Sequence, residues 1–254
     1  MFSTERDNEI REIINSSLDK AEQIWTSGGY IIANESMKDA VFKSENVPSM
    51  IPGYPLVSSE SPKVDEFIAL VADMRNSSQH LLCSISPKRA KVTELERVFY
   101  ETSALLPALA KTISYEEGNV TEYLGDGVLA LFRVPKSSKE DAIYSANRAA
   151  KNIITDTRYI LNDILAERYN LPPVDLGVGL SVSKAIVSLV GLPEQKQAKA
   201  FGKCVFKATK LSSGTNSVAV CENLNAIWPV AKGGGLKFSK KSFGAIDGYV
   251  INRS

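Results

Sequence analysis

Residues 118–132 read GNVTEYLGDGVLALF, and this stretch decides how the chain folds. Its first half alternates like a strand, a tight turn follows at Gly125-Asp126-Gly127, and Val128 to Phe132 resume as an apolar strand. The turn sets one carboxylate between two glycines. Asp-Gly is also the commonest two-residue hairpin turn, so the motif alone reads as ordinary turn chemistry. The flanking segments give that aspartate a partner.

Upstream, FIALVADM (67–74) is a near-continuous apolar run of strand length, typical of a strand covered on both faces, and Asp73 stands at its end. Residues 91–113 carry the apolar period of a helix, which Pro107 is expected to bend or break. Downstream, residues 139–169 set Ala142, Ile143, Ala146, Ala149, Ala150, Ile153 and Ile154 on one face, predicting a single long amphipathic helix. DLGVGLSV (175–182) and KAIVSLVG (184–191) read as two strands around a tight turn. The order strand, helix, strand, strand, helix, strand predicts an α+β fold: a ferredoxin-like split βαβ core, its mainly antiparallel sheet carrying helices on one face.

In that topology the end of the first strand lies beside the hairpin turn, so Asp73 and Asp126 converge. Two neighbouring carboxylates resist joint ionisation unless a divalent cation sits between them. Magnesium suits such a pair, because it takes one or two carboxylates and completes its shell with phosphate oxygens and water. Gly125 and Gly127 then leave room for a polyphosphate to approach.

The rest of the chain adds less. Residues 3–25 predict a helix capped by Ser3, with Ile10, Ile13, Ile14, Leu18, Ala21 and Ile24 packing on the core or on a second subunit. Residues 45–63 hold four prolines and read as an irregular connection, dividing a helical extension (1–63) from the main domain (64–254). Residues 202–214 predict a helix ending near Gly214, and 217–221 and 248–253 predict strands.

At 254 residues and 44% hydrophobic content the chain can bury a large core. A net charge of +1 gives no broad attraction to nucleic acid or to an anionic membrane, and no apolar run approaches bilayer length. Three cysteines without metal-ligand spacing, Cys83, Cys204 and Cys221, and the lack of a secretion signal predict a reduced, cytoplasmic protein. His80, the one histidine, cannot make a multi-histidine metal site. Cys204 is expected to be a buried structural thiol, and Trp25 and Trp228 to anchor apolar contacts.

Three stretches resemble the class III nucleotidyl cyclases. FIALVADMRNSS looks like that family's first metal motif, VTEYLGDGVLALF like its second, and residues 179–213 follow its later strand pair and helix. The resemblance implies a head-to-tail homodimer converting a nucleoside triphosphate to a 3′,5′-cyclic monophosphate and pyrophosphate. It implies two magnesium or manganese ions on Asp73 and Asp126, with the Met74 carbonyl as a further ligand. Departures accompany it: Phe206 and Lys210 stand where the family usually carries asparagine and arginine, and Ser183 and Ser188 replace two of its glycines. Lys210 can neutralise transition-state charge as a point cation but cannot form a guanidinium fork.

The family's base-reading positions fall on Glu122 and Lys199, and a polyphosphate-binding lysine falls on Lys241. Glu122 accepts from a ring N–H and Lys199 donates to a carbonyl, a pattern that uracil and guanine both satisfy. Within the superfamily the chain is most similar to the pyrimidine cyclases of bacterial antiphage (Pycsar) systems, which implies UTP as substrate and cyclic UMP as product. Three expectations stay open on the residues: an active cyclase of UTP, with CTP or GTP as alternatives; a silent cyclase-like domain binding nucleotide or a partner; and an unrelated split βαβ module.

Overall fold

The computed structural model describes residues 1–27, 46–58, 61–82, 90–192, 194–229 and 235–253. Ser3 accepts the Arg6 N–H and caps helix α1 (Thr4–Thr26). Strands β1 (Asn46–Pro48) and β2 (Leu56–Ser58) form a small hairpin. Strand β3 (Lys63–Met74) leads into the short helix α2 (Ser77–Leu82), and helix α3 (Glu94–Ser114) follows. Strands β4 (Asn119–Tyr123) and β5 (Gly127–Arg133) precede helix α4 (Lys139–Asn152), a π-helical turn at Ile153–Thr157, and helix α5 (Arg158–Tyr169). The remainder is β6 (Leu176–Val190), β7 (Gln197–Gly202), α6 (Lys203–Leu211), β8 (Ser217–Cys221), α7 (Glu222–Ala226), β9 (Leu236–Phe243) and β10 (Ile246–Arg253).

The main sheet runs β4-β5-β3-β6-β8-β10-β9, with β7 paired to β6. Only β6 and β8 pair in parallel; the other pairs are antiparallel, as a split βαβ core requires. Side chains of β3 alternate between two apolar layers, which is why its sequence is apolar throughout. Ile68, Leu70 and Ala72 pack with α1, α3, α4 and α5, whereas Phe67, Ala69 and Val71 pack with Cys204 and Ala208 of α6 and with Ile51 and Val57 of the small hairpin. All six are at most 1% exposed, so truncating Leu70 to alanine costs about 2–5 kcal/mol.

Several expectations need correction. Helix α3 runs unbroken across Pro107, because Ala104, Leu105, Ala108 and Leu109 are fully buried and their packing outweighs the one hydrogen bond that proline cannot donate. The two strands read at 175–191 are one strand: Ser183 and Lys184 hold register with Phe67 and Glu66 and make no turn. Helix α6 lies on the sheet face opposite the other long helices and ends at Ser212 in right-handed geometry, so Gly214 is not its cap. The connection at 45–63 contains a docked hairpin, with the Tyr54 hydroxyl donating to Asp65 (3.0 Å). β7, β9 and α7 were not legible as elements.

Helix α1 packs on the core. Ile10, Ile14 and Leu18 are fully buried with Ala21 beside them, and ion pairs from Arg6 to Glu116 (3.1 Å), Arg11 to Asp163 (2.8 Å) and Arg168 to Asp19 (2.6 Å) fix its outer face. Ile24, read as part of that stripe, is exposed. Trp25 lies against Phe99 and Trp228 against Phe238, in the apolar anchoring role expected of them. Cys83 and the His80 side chain lie outside the described residues. Among the described residues, no helix is long and apolar enough to cross a membrane.

Candidate active site

The corner that the sequence singles out is built by sheet register. Asp73 lies opposite Gly127, and the Met74 N–H donates to the Asp126 carbonyl (3.1 Å), so the end of β3 is stitched to the hairpin turn. The Leu124 N–H closes that turn onto the Gly127 carbonyl (2.8 Å), making Gly125-Asp126 its two central residues rather than Asp126-Gly127. Gly125 takes the positive φ of +86° that the first of those positions requires. A side chain at Gly127 would strike the Ala72 carbonyl and crowd Asp73 at 3.1 Å, so this glycine allows the two strands to approach.

The turn thus sets Asp126 beside the end of β3, near enough for its charge to act on Asp73. Burial and the neighbouring Asp126 charge push the Asp73 carboxyl up to about 6, against the opposing pull of Arg75. Asp126, Met74, Gly125, Ser77, Ser78 and Glu101 border a cavity of about 400 Å³. Two carboxylates and a backbone carbonyl are hard oxygen donors, and their mutual repulsion is what a divalent cation relieves. Asp73, Asp126 and the Met74 carbonyl are the groups here that could hold magnesium or manganese. Among the described residues no group of three or more His, Cys, Asp and Glu side chains could hold a metal, so further ligands would come from substrate or water.

Sequence reasoning overlooked Arg75. Its Nη1 donates to Asp73 Oδ2 (2.9 Å) and to the Ser212 carbonyl (3.2 Å), binding this corner to the end of α6. The signal was present in Asp-Met-Arg, where residues two apart on an extended chain share a side. Glu101 also went unremarked; it is fully buried in α3 and paired with buried Arg97 at 2.8 Å.

The remaining candidates fall elsewhere. Glu122 and Lys199, far apart in sequence, meet in an ion pair of 3.0 Å, because β7 turns back over the sheet: Ala198 and Ala200 join the apolar cluster containing Leu129 and Leu131. Phe206 and Lys210 share the outer face of α6, with the ammonium 5.8 Å from the ring centre and Phe206 67% exposed. They border a cavity of about 350 Å³ together with Phe201 and Val205. Lys241 lies on β9, at the sheet edge opposite β4, 5.7 Å from the Phe243 ring; neighbouring Lys240 pairs with Asp247 (3.1 Å). Cys204 is fully buried, its thiol pushed up by desolvation, in the structural role expected of it.

The overall arrangement matches solved structures. The guanylyl cyclase Cya2 aligns with a TM-score of 0.57 at 19% identity, over 74% of this chain and 91% of its own. The chain has the class III nucleotidyl cyclase fold. The adenylyl cyclase CyaB from P. aeruginosa aligns with a TM-score of 0.59 at 12% identity, over 76% and 97% of the two chains. The guanylyl cyclase domain of the RhoGC fusion protein from the aquatic fungus Blastocladiella emersonii aligns with a TM-score of 0.53 at 12% identity, over 76% and 97%. No protein-family model and no curated protein matches the chain. These alignments extend over about three quarters of the chain.

Proposed function

We propose that this chain is a nucleotidyl cyclase that converts a nucleoside triphosphate, UTP in preference, to the 3′,5′-cyclic monophosphate and pyrophosphate at sites shared by two subunits. The observation that carries the reading is the register that sets Asp126 beside Asp73 at one end of a cyclase-fold sheet, with Asp73 pushed up to about 6 by its burial and by that neighbour's charge. In the reaction the 3′-oxygen forms a bond to the α-phosphorus, the bond to the β-phosphate oxygen breaks, and the hydroxyl proton passes to solvent.

Divalent ions held by Asp73, Asp126 and the Met74 carbonyl would supply acidity at the 3′-hydroxyl and neutralise the polyphosphate. The space at Gly125, next to Asp126, is open: a Cβ there would meet nothing within 4 Å. Lys210 supplies a positive charge for the transition state, and Phe206 beside it offers an apolar face to sugar or base. Lys241 supplies a cation for the polyphosphate. Glu122 accepts from the base's ring N–H while Lys199 donates to its carbonyl, and their ion pair in this structure holds both heads at one spot. Exposed Phe201, Phe206, Ile186 and Leu192 give a second copy an apolar surface to cover.

The resemblance to pyrimidine cyclases extends the reading to a second-messenger synthase in antiphage defence, making cyclic UMP. One observation favours a second reading, a silent cyclase-like domain: Phe206 occupies a position where the family usually hydrogen-bonds the ribose region. A direct test incubates purified protein with each of the four ribonucleoside triphosphates and manganese or magnesium, resolving products by mass. Cyclic UMP formed by the wild type and lost in Asp73→Ala supports the proposal. A cyclic purine alone overturns the choice of base, and no cyclic product at all overturns the enzyme.

A further inference from the structure

The corner at Asp73 already contains a cation of its own. Arg75 is held in place by its backbone N–H, which donates to the Asp175 carbonyl (2.8 Å), and by the turn that follows at Asn76, where φ is +58°. From there one guanidinium nitrogen is shared between Asp73 Oδ2 at 2.9 Å and the Ser212 carbonyl at 3.2 Å. Both partners of the ion pair are largely shielded, with Arg75 23% and Asp73 29% exposed. The other carboxylate oxygen, Oδ1, lies beside the Gly127 backbone. Among the described residues Asp126 makes no ion pair, so the two aspartates are not equivalent.

We propose that Arg75 is a competing counter-cation: it holds Asp73 in place, and a divalent ion gains the full carboxylate only by displacing the guanidinium. The inference rests on the assignment of Asp73 as a metal ligand. A guanidinium stays protonated throughout the accessible pH range, so it cannot step aside by losing its charge. Two cations a few ångströms apart in a half-buried site repel by more than a hydrated pair would. The Ser212 carbonyl gives the guanidinium a second anchor, so it can leave Asp73 without returning to bulk water. Arg75 is thus a positioning residue for the carboxylate, and its effect falls on metal affinity.

The test measures Mn²⁺ binding without nucleotide, at pH 8, from the loss of the free-ion electron paramagnetic resonance signal. Arg75→Gln, which keeps a hydrogen-bonding head on a shorter side chain and carries no charge, is expected to bind Mn²⁺ roughly tenfold more tightly than wild type, the scale of one partly screened charge contact. Arg75→Lys, which keeps the charge, is expected to stay within about threefold of wild type. Asp73→Asn sets the baseline, and thermal melts confirm folding, with Arg75→Ala as the second variant if the glutamine form is unstable. Binding by Arg75→Gln equal to or weaker than wild type, while Asp73→Asn abolishes it, overturns the displacement and leaves the metal assignment standing. No Mn²⁺ binding by any variant, with or without triphosphate, overturns both.

Discussion

The Asp73–Asp126 corner and the outer face of α6 are built on different principles. The corner is fixed within one chain: strand register, a closed turn and an ion pair to Arg75 set it beside the core. The α6 face and the adjoining end of β7 are exposed, with Phe206 at 67% and Phe201 at 47%. A buried core can organise the first alone; the second stands open to solvent. In the proposed homodimer the corner of one subunit would meet the α6 face of the other.

The sharpest way to break that comparison is Asp126→Ala, expected to lower cyclase turnover by about a thousandfold or more while leaving the melting temperature within a few degrees. Mixing it with a Lys210→Ala chain is the complementary measurement. If the two regions come from different subunits, randomly formed heterodimers each carry one intact site, and about a quarter of wild-type activity returns. No recovery would place both regions on the same site within one chain.

Next in size is Gly127→Ala, whose new methyl would strike the Ala72 carbonyl. Urea unfolding is expected to show a loss of about 2–3 kcal/mol, because strand pairing must open to admit it. Lys210→Ala alone is expected to lower kcat by roughly thirtyfold with little change in KM, and Lys210→Arg to recover most of it. Glu122→Ala should lower kcat/KM by roughly tenfold for the preferred nucleotide and less for the others, read from competition between triphosphates.

The smallest effect is a stability shift with pH. Asp73 titrates in the folded protein near 6, above its unfolded value, so the folded state binds its proton more tightly. Relative to the protonated carboxyl, stability is kept in full below the unfolded pKa, falls as pH rises through 6, and is level above it. Asp73→Asn is therefore expected to be about 1 kcal/mol more stable than wild type at pH 8 without divalent ions, the difference fading near pH 4. A melting temperature unchanged or lowered at pH 8 would show that the carboxylate carries no such strain.

Much of this was legible in the chain because it rests on local pattern. The apolar run 67–74, a turn somewhere in Gly125-Asp126-Gly127 and the helical period on either side specify the split βαβ order, and register then sets Asp126 beside the end of β3. What was missed depends on tertiary covering. Pro107 sits in a helix whose packing overrides its propensity, and Ser183-Lys184 imitates a turn but is held straight by β3. β7 and β9 are short or lysine-rich and lack clean alternation. Arg75 could be seen as a cation near an acid, but its bond to Ser212 joins residues 137 positions apart, which no local reading supplies.

The seating of α6 on β6 has one more consequence. Gly177 and Gly179 lie directly under the helix, where any side chain would collide with the Ser212 and Ala208 carbonyls, so helix and strand touch backbone to backbone. There is no slack for α6 to slide or tilt inward. If a cleft has to open and shut around a nucleotide, the hinge cannot be inside this layer; in the proposed homodimer, tightening would come from the rotation of one copy against its twin.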